Sequence, residues 1–143
     1  MHEVSRSELV PFAPEQMYAL VRDIESYPEF LPWCRAAKVL RDTERGVIAS
    51  LSIAKGAIEH SFTTENLNEP NSEIEMRLIE GPFKQLHGFW RFEKAEVGCR
   101  VALNLRFEFA NRLIAFGLSP VFKVITGTMV EAFRDRAYSV YQR

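Results

Sequence analysis

The sequence predicts an α+β fold in which a seven-stranded, curved antiparallel sheet wraps around one long C-terminal helix, with two short helices after the first strand. Helical periodicity is sustained over one long segment, residues 117–141. Between residues 34 and 110, apolar and polar side chains alternate, and turn signals recur about every eight to fifteen residues. Strands joined by such short turns pair antiparallel, which predicts a meander.

The N-terminal region is predicted to form the first strand and the two short helices. The strand covers residues 2–11 and ends at Pro11. Pro14 then opens a helix whose apolar side chains fall at helical spacing, namely Met17, Leu20, Val21 and Ile24. A second helical turn covers residues 26–30.

Five turns divide the six strands that follow. Gly, Pro, Asp, Asn and neighbouring polar residues mark them at residues 42–46, 55–56, 69–72, 81–82 and 94–98. The clearest alternation places five apolar residues on one face of the last strand: Val101, Leu103, Leu105, Phe107 and Phe109. One face of the sheet is therefore expected to be buried and the other solvated.

The long helix is predicted to run from Ser119 to Tyr141. Ser119 suits the N-cap, and Pro120 suits the first helical position, where its missing N–H does no harm. Gly127 lies inside this helix and either allows the close approach of another group or is incidental, the simpler interpretation.

The geometry of this fold leaves space inside it. Seven strands at about 4.8 Å spacing span roughly 29 Å, whereas a helix with its side chains is about 10–12 Å thick. One helix cannot cover the inner face, so either a ligand cavity remains or large side chains fill the space. Eleven phenylalanines and two tryptophans make filling a full alternative.

Length and composition favour one cytoplasmic domain, residues 1–143. The formal net charge of −1 argues against general binding to DNA. No secretory leader is apparent, and the longest uncharged run, residues 113–122, is about half of what a membrane span requires. Transient contact with a membrane surface is left open. Cys34 and Cys99 match no zinc or redox spacing, so reduced thiols are expected.

Catalytic and metal-binding motifs are lacking, so neither an enzyme nor a cofactor is expected. His2, His60 and His87 have no histidine or cysteine at metal-ligand spacing. His60 shares strand parity with Phe62, so it either faces inward and hydrogen-bonds a ligand carbonyl or is a satisfied core or rim histidine, the commoner situation.

Three segments carry a family resemblance: YPEFLPWC at 27–34, EGPFKQLHGFWRF at 80–92 and FEFAN at 107–111. They resemble the coenzyme Q-binding protein branch of the START-like, polyketide cyclase-like superfamily. Similarity at FTTEN, 62–66, and MVEAF, 129–133, extends this over nearly the whole chain. The resemblance implies a helix-grip fold with a hydrophobic cavity between sheet and long helix, and no catalytic machinery common to the branch. Bacterial members carry two names, ubiquinone-binding protein and ribosome association toxin RatA.

The first function that this resemblance implies is non-enzymatic binding of an isoprenoid quinone, such as ubiquinone, in support of respiratory electron transport. The predicted cavity wall comprises eleven apolar residues: Phe30, Leu31, Trp33, Leu86, Trp90, Phe107, Phe109, Phe122, Ile125, Met129 and Phe133. The aromatic and aliphatic cluster around Tyr27 either forms a lid over the cavity mouth or closes that end as ordinary core.

The second implied function is RatA-like docking on the large ribosomal subunit, which would block subunit association. The candidate cationic residues are Arg35, Lys38, Arg41, Arg45, Arg134, Arg136 and Arg143. Acidic residues are interspersed among them, which is typical of an ordinary solvated surface. A third function, polyketide cyclase or aromatase activity, follows from the superfamily alone, and the predicted interior contains no convergent acid and base.

Overall fold

The computed structural model describes residues 2–142, which form one seven-stranded antiparallel sheet and a long helix. The elements are β1 (His2–Val10), α1 (Pro14–Arg22), a 3₁₀-helix (Ile24–Glu29), β2 (Cys34–Asp42), β3 (Gly46–Lys55), β4 (Ile58–Glu69), β5 (Glu73–Glu80), β6 (Phe83–Lys94), β7 (Cys99–Phe109) and α2 (Arg112–Tyr141). The strand order is β1-β7-β6-β5-β4-β3-β2, so β2 to β7 form a meander and β1 joins it beside β7. The predicted element order, turns and antiparallel pairing are confirmed.

The alternation of side chains in β7 produces the buried face that the sequence predicts. The five apolar residues named above, from Val101 to Phe109, are buried, whereas Arg100 just before them and Arg106 among them are exposed. These side chains join one apolar core that extends from Val10 to Ala137.

The long helix begins seven residues before the predicted start. Asn111 is its N-cap, and its side-chain oxygen accepts a hydrogen bond from the Ile114 N–H at 2.9 Å. Ser119 is therefore not the cap, and Pro120 lies inside the helix, where its ring removes the bond that would otherwise reach the Phe116 carbonyl. A Cβ at Gly127 would meet nothing within 4 Å, so that glycine is incidental.

The first short helix is shorter than predicted. It ends at Arg22, and Ile24 belongs to the separate 3₁₀-helix. The Gln16 side chain accepts from the Ala13 N–H at 2.9 Å and thereby satisfies a backbone donor at the start of α1.

Helix α2 packs against α1, β1 and β7, at one end of the sheet order. Arg134 donates two hydrogen bonds to the Glu8 carboxylate, at 2.9 and 2.8 Å, and the Tyr141 hydroxyl donates to the Gln16 carbonyl at 2.8 Å. These contacts join the C-terminal half of α2 to the N-terminal elements.

Among residues 2–142, α2 alone has the length and apolar composition of a membrane span. Its buried side chains include Leu118, Phe122 and Phe133, which belong to the core. This is the arrangement of a core helix, and the fold gives no support for a membrane span.

Candidate functional site

A narrow cavity lies between α2 and the inner face of the sheet. Its free volume is about 60 Å³, which accommodates a few water molecules. Typical ligand pockets measure about 300–1,000 Å³. Both alternatives derived from the sheet geometry therefore hold in part, because a cavity exists and side chains fill most of it.

Strand register explains which side chains reach the cavity. In an antiparallel pair, directly opposed residues point to the same face. Ala49 of β3 is opposite Thr64 of β4, and Leu51 is opposite Phe62. All four line the cavity, and the residues between them in sequence point to the outer face.

Six of the eleven predicted wall residues lie on the cavity wall: Trp33, Leu86, Trp90, Phe122, Ile125 and Met129. Trp33 directly precedes β2, and the others come from β6 and α2. Their contact with a ligand stays a prediction.

Phe107 and Phe109 do not lie on the wall. Their rings pack with those of Phe83 and of Phe122, which lies in the N-terminal half of α2. The ring centroids are 4.8 Å apart for Phe107 and Phe122 and 5.5 Å apart for Phe83 and Phe109. The inner face of β7 extends beyond the cavity, so a residue can point to this face without lining the cavity.

Phe133, Phe30 and Leu31 also lie away from the wall. Phe133 is completely buried, and its ring centroid is 5.3 Å from that of Tyr27, 5.1 Å from Phe30 and 5.3 Å from Trp90. These residues form ordinary core beside the cavity. The cluster around Tyr27 is thus divided, because Tyr27 and Trp33 line the cavity while Phe30 and Leu31 do not.

His60 points to the inner face of the sheet, since it is paired with the buried Ile53. It is half-buried and is not one of the cavity-lining residues. It lies near the start of β4, two residues before the cavity-lining Phe62, and its contact with a ligand stays a prediction.

Three polar wall residues were missed by the sequence analysis: Thr64, Asn66 and Thr126. Thr64 and Asn66 are buried, and the Thr64 hydroxyl donates to the Asn66 side-chain oxygen at 2.8 Å. The Thr126 hydroxyl donates to the Phe122 carbonyl at 3.1 Å. The parity of β4 was the available signal, because Asn66 and Thr64 follow Phe62 on one face.

The cavity is electrically neutral. No Asp, Glu, Lys, Arg or His is among its described lining residues. Burial raises the pKa of the Tyr27 phenol, whose hydroxyl donates to the Val21 carbonyl at 2.6 Å. Within residues 2–142, no cluster of three His, Cys, Asp or Glu side chains could hold a metal ion. The arrangement suits an uncharged, largely apolar molecule.

Ion pairs neutralise several of the candidate cationic residues on the outer surface. Arg35 pairs with Glu59, Arg134 with Glu8 and Asp135, and Arg136 with Glu29. Within the described part of the chain, Lys38, Arg41 and Arg45 form no ion pair, and all three are exposed or half-exposed along β2 and its turn. Arg143 lies outside the described residues.

The N-terminal half of α2 exposes an apolar stripe. Leu113, Phe116, Pro120 and Val124 follow one another at steps of three and four, and the side chains of Leu113 and Phe116 are 81% and 86% exposed. No acidic residue occurs between positions 110 and 130, whereas Arg112 and Lys123 flank the stripe.

Comparison with known proteins agrees with this architecture. Residues 10–134 match the family described as polyketide cyclase / dehydrase and lipid transport. The chain is 42% identical over 139 residues to the ribosome association toxin RatA of Pseudomonas aeruginosa, covering 96% of each protein. It is 30% identical over 146 residues to the mitochondrial coenzyme Q-binding protein COQ10 homolog B of Xenopus laevis, covering 99% of this chain and 60% of that one.

The fold is shared with a solved START superfamily protein from Mycobacterium smegmatis. The two chains superpose with a TM-score of 0.75 at 17% identity, over 98% of this chain and 99% of the other. The sequence matches show that the chain belongs to the polyketide cyclase / dehydrase and lipid transport family, together with the relatives named RatA.

Proposed function

We propose that the protein binds an isoprenoid quinone such as ubiquinone in its cavity, without enzymatic turnover. The observation that carries this proposal is the uncharged, aromatic-rich wall between sheet and helix. Burying each CH₂ group contributes about 0.8 kcal/mol, so part of an isoprenoid tail supplies ample affinity. The name of the Xenopus relative supports the ligand class. The family description includes cyclases, but no Asp, Glu, His or Lys side chain is among the described residues of the cavity wall.

Binding requires the cavity to expand, because about 60 Å³ cannot hold a quinone ring. Four lining residues are only half-buried and mark its open side: Leu51, Phe62, Met76 and Met129. Methionine side chains adapt readily to irregular space. Displacement of Met76 and Met129 is therefore the simplest route to a larger pocket.

Native mass spectrometry with lipid extraction, on protein purified from a quinone-producing host, tests this proposal. A near-stoichiometric quinone is expected. Trp33 and Trp90 line the cavity, so an added short-chain ubiquinone should also quench tryptophan fluorescence. Met129→Arg should abolish the quenching, whereas Thr128→Arg, on the exposed side of the same turn, should not. A wild-type protein that is empty and unquenched would refute quinone binding.

A second candidate function is association with the large ribosomal subunit in the cytoplasm. The name of the 42%-identical relative favours it, and Lys38, Arg41 and Arg45 form the surface that we assign to it. Ribosome pelleting over a salt series should show steeply salt-dependent association. A Lys38→Glu/Arg41→Glu/Arg45→Glu variant should lose it while Met129→Arg retains it. Absence from ribosomal fractions at low salt would exclude this function.

The exposed stripe on α2 supports transient contact with an anionic membrane surface, from which an apolar ligand could be taken up. Exposed Phe and Leu beside basic residues favour such an interface. Vesicle flotation should recover the protein with anionic vesicles, and Leu113→Ser/Phe116→Ser should reduce recovery. Equal recovery with neutral vesicles, or no effect of the double variant, would count against this surface.

A further inference from the structure

The cavity contains one polar pair that its apolar surroundings do not explain. Thr64 and Asn66 are 8% and 9% exposed, and both line the cavity. The residues paired with Asn66 on the neighbouring strands are Val47 and Met76. Asparagine is disfavoured within strands, and a polar residue at a core position calls for a specific role.

The hydrogen bond between these two residues uses only one end of the Asn66 amide. Thr64 Oγ1 donates to Asn66 Oδ1 at 2.8 Å. No hydrogen bond of the Asn66 amide nitrogen is found among residues 2–142, and this nitrogen is not one of the fully enclosed polar atoms, so it keeps some accessible surface. Because Asn66 lines the cavity, this free N–H donor is available to an acceptor on a molecule bound there.

The surroundings of the amide restrict the chemistry of what it binds. The other polar wall residue, Thr126 on α2, directs its hydroxyl proton to the Phe122 carbonyl of its own helix, and no hydrogen bond joins it to Asn66 among the described residues. No charged side chain among the described residues lines the cavity, so a carboxylate or phosphate would be buried without a counter-charge. A neutral oxygen acceptor meets both conditions.

We propose that the Asn66 amide nitrogen donates a hydrogen bond to a neutral carbonyl or ether oxygen of the ligand, and that Thr64 positions the amide for it. This inference rests on the proposed function and specifies how the polar end of the ligand is recognised. The remainder of the molecule contacts the apolar wall. Fatty acids and phospholipids, whose polar groups are charged, are disfavoured ligands.

Two matched probes test this assignment: ubiquinone with a ten-carbon saturated side chain, and decylbenzene, which has the same tail but no oxygen. Affinities are measured by isothermal titration calorimetry in one detergent. Asn66→Leu should lower the affinity for the quinone about tenfold, the typical effect of one hydrogen bond, and leave that for decylbenzene unchanged. Asn104→Leu, the same substitution on the outer face of β7, should change neither affinity.

The carbonyl stretching frequency of the bound quinone provides an independent measurement. It should lie lower in the wild type than in Asn66→Leu, because a hydrogen bond weakens the C=O bond. Thr64→Val is the second variant, to be used if Asn66→Leu does not fold, because valine has nearly the shape of threonine and suits a strand. It removes the hydroxyl that holds the Asn66 amide and should lower the affinity for the quinone two- to threefold.

Equal losses for both probes would show a structural role and overturn the assignment, as would an unchanged quinone affinity or carbonyl frequency. A wild-type protein that binds neither probe would instead refute the proposed function. The two failures are therefore distinguishable.

Discussion

Phe133 illustrates how a single side chain supports the fold beside the cavity. It is completely buried, and three aromatic rings surround it at centroid distances of 5.1 to 5.3 Å. We expect Phe133→Ala to lower the free energy of unfolding by about 3–5 kcal/mol, because it leaves a cavity in the core. Urea denaturation measures this change.

The control is Phe116→Ala, on the exposed side of the same helix, which should change stability by less than about 0.5 kcal/mol. Similar effects of both substitutions would contradict the burial of Phe133. A charge at this position, as in Phe133→Glu, would be unpaired in the core and would test folding rather than ligand binding.

The two cysteines predict how stability depends on alkaline pH. Burial raises the pKa of the Cys34 and Cys99 thiols to about 11 from 9.0. The folded chain therefore keeps both protons between pH 9 and 11, whereas the unfolded chain loses them. The stabilisation is fully present below pH 9 and is lost as pH rises towards 11.

Urea denaturation at pH 8 and pH 10.5 should accordingly show a lower midpoint at the higher pH. The Cys34→Ala/Cys99→Ala variant should show a smaller decrease, because it has no thiols to titrate. Identical decreases in the two proteins would mean that the thiols do not contribute.

At the scale of elements, the N-cap of α2 is Asn111 in the structure, whereas the sequence pattern predicts Ser119. Asn111 bonds the Ile114 N–H, whereas Ser119 lies within the helix. We expect Asn111→Ala to cost about 1 kcal/mol of stability. Ser119→Ala should be neutral or slightly stabilising, since alanine is the better residue inside a helix. Thermal unfolding of both variants checks this, and the reverse order of effects would support a helix that begins at Ser119.

The strands were predictable because their signals are local. Glycine, proline and short polar residues set the five turns, and alternation within each strand identified its buried face. The helix start was not predicted because Ser119 and Pro120 form a stronger local signal than Asn111. The cavity wall was only partly predictable: Phe107 and Leu105 share one face of β7, but only Leu105 lies on the wall. That difference depends on where α2 crosses the sheet, which is a property of the tertiary structure.

At the scale of the whole molecule, Gly98 joins the β6–β7 turn to the end of β1. Its φ is +79°, and a Cβ there would lie 1.9 Å from the Val10 carbonyl oxygen. Gly98→Ala should therefore be strongly destabilising, through both backbone strain and displacement of β1. Gly56 also has a positive φ, +60°, but a Cβ added there would meet no atom within 4 Å.

Gly56→Ala should cost only about 1–2 kcal/mol, from backbone strain alone. Comparison of the two urea midpoints isolates the contribution of the close contact. Equal costs would show that Gly98 matters only for its conformation.

The pairing of β1 with β7 also determines the order in which this protein can fold. His2 lies opposite Phe107, so β1 and its partner strand are separated by about a hundred residues of chain. Strands β2 to β7 can pair one after another, because each lies in the sheet beside the strand that precedes it in the chain. β1 can pair only once β7 is present, and α2, which joins β1 through Arg134 and Glu8, follows β7 in the chain. Closure of so long a chain loop is slow. Pairing of β1 is therefore expected to follow formation of the β2–β7 meander.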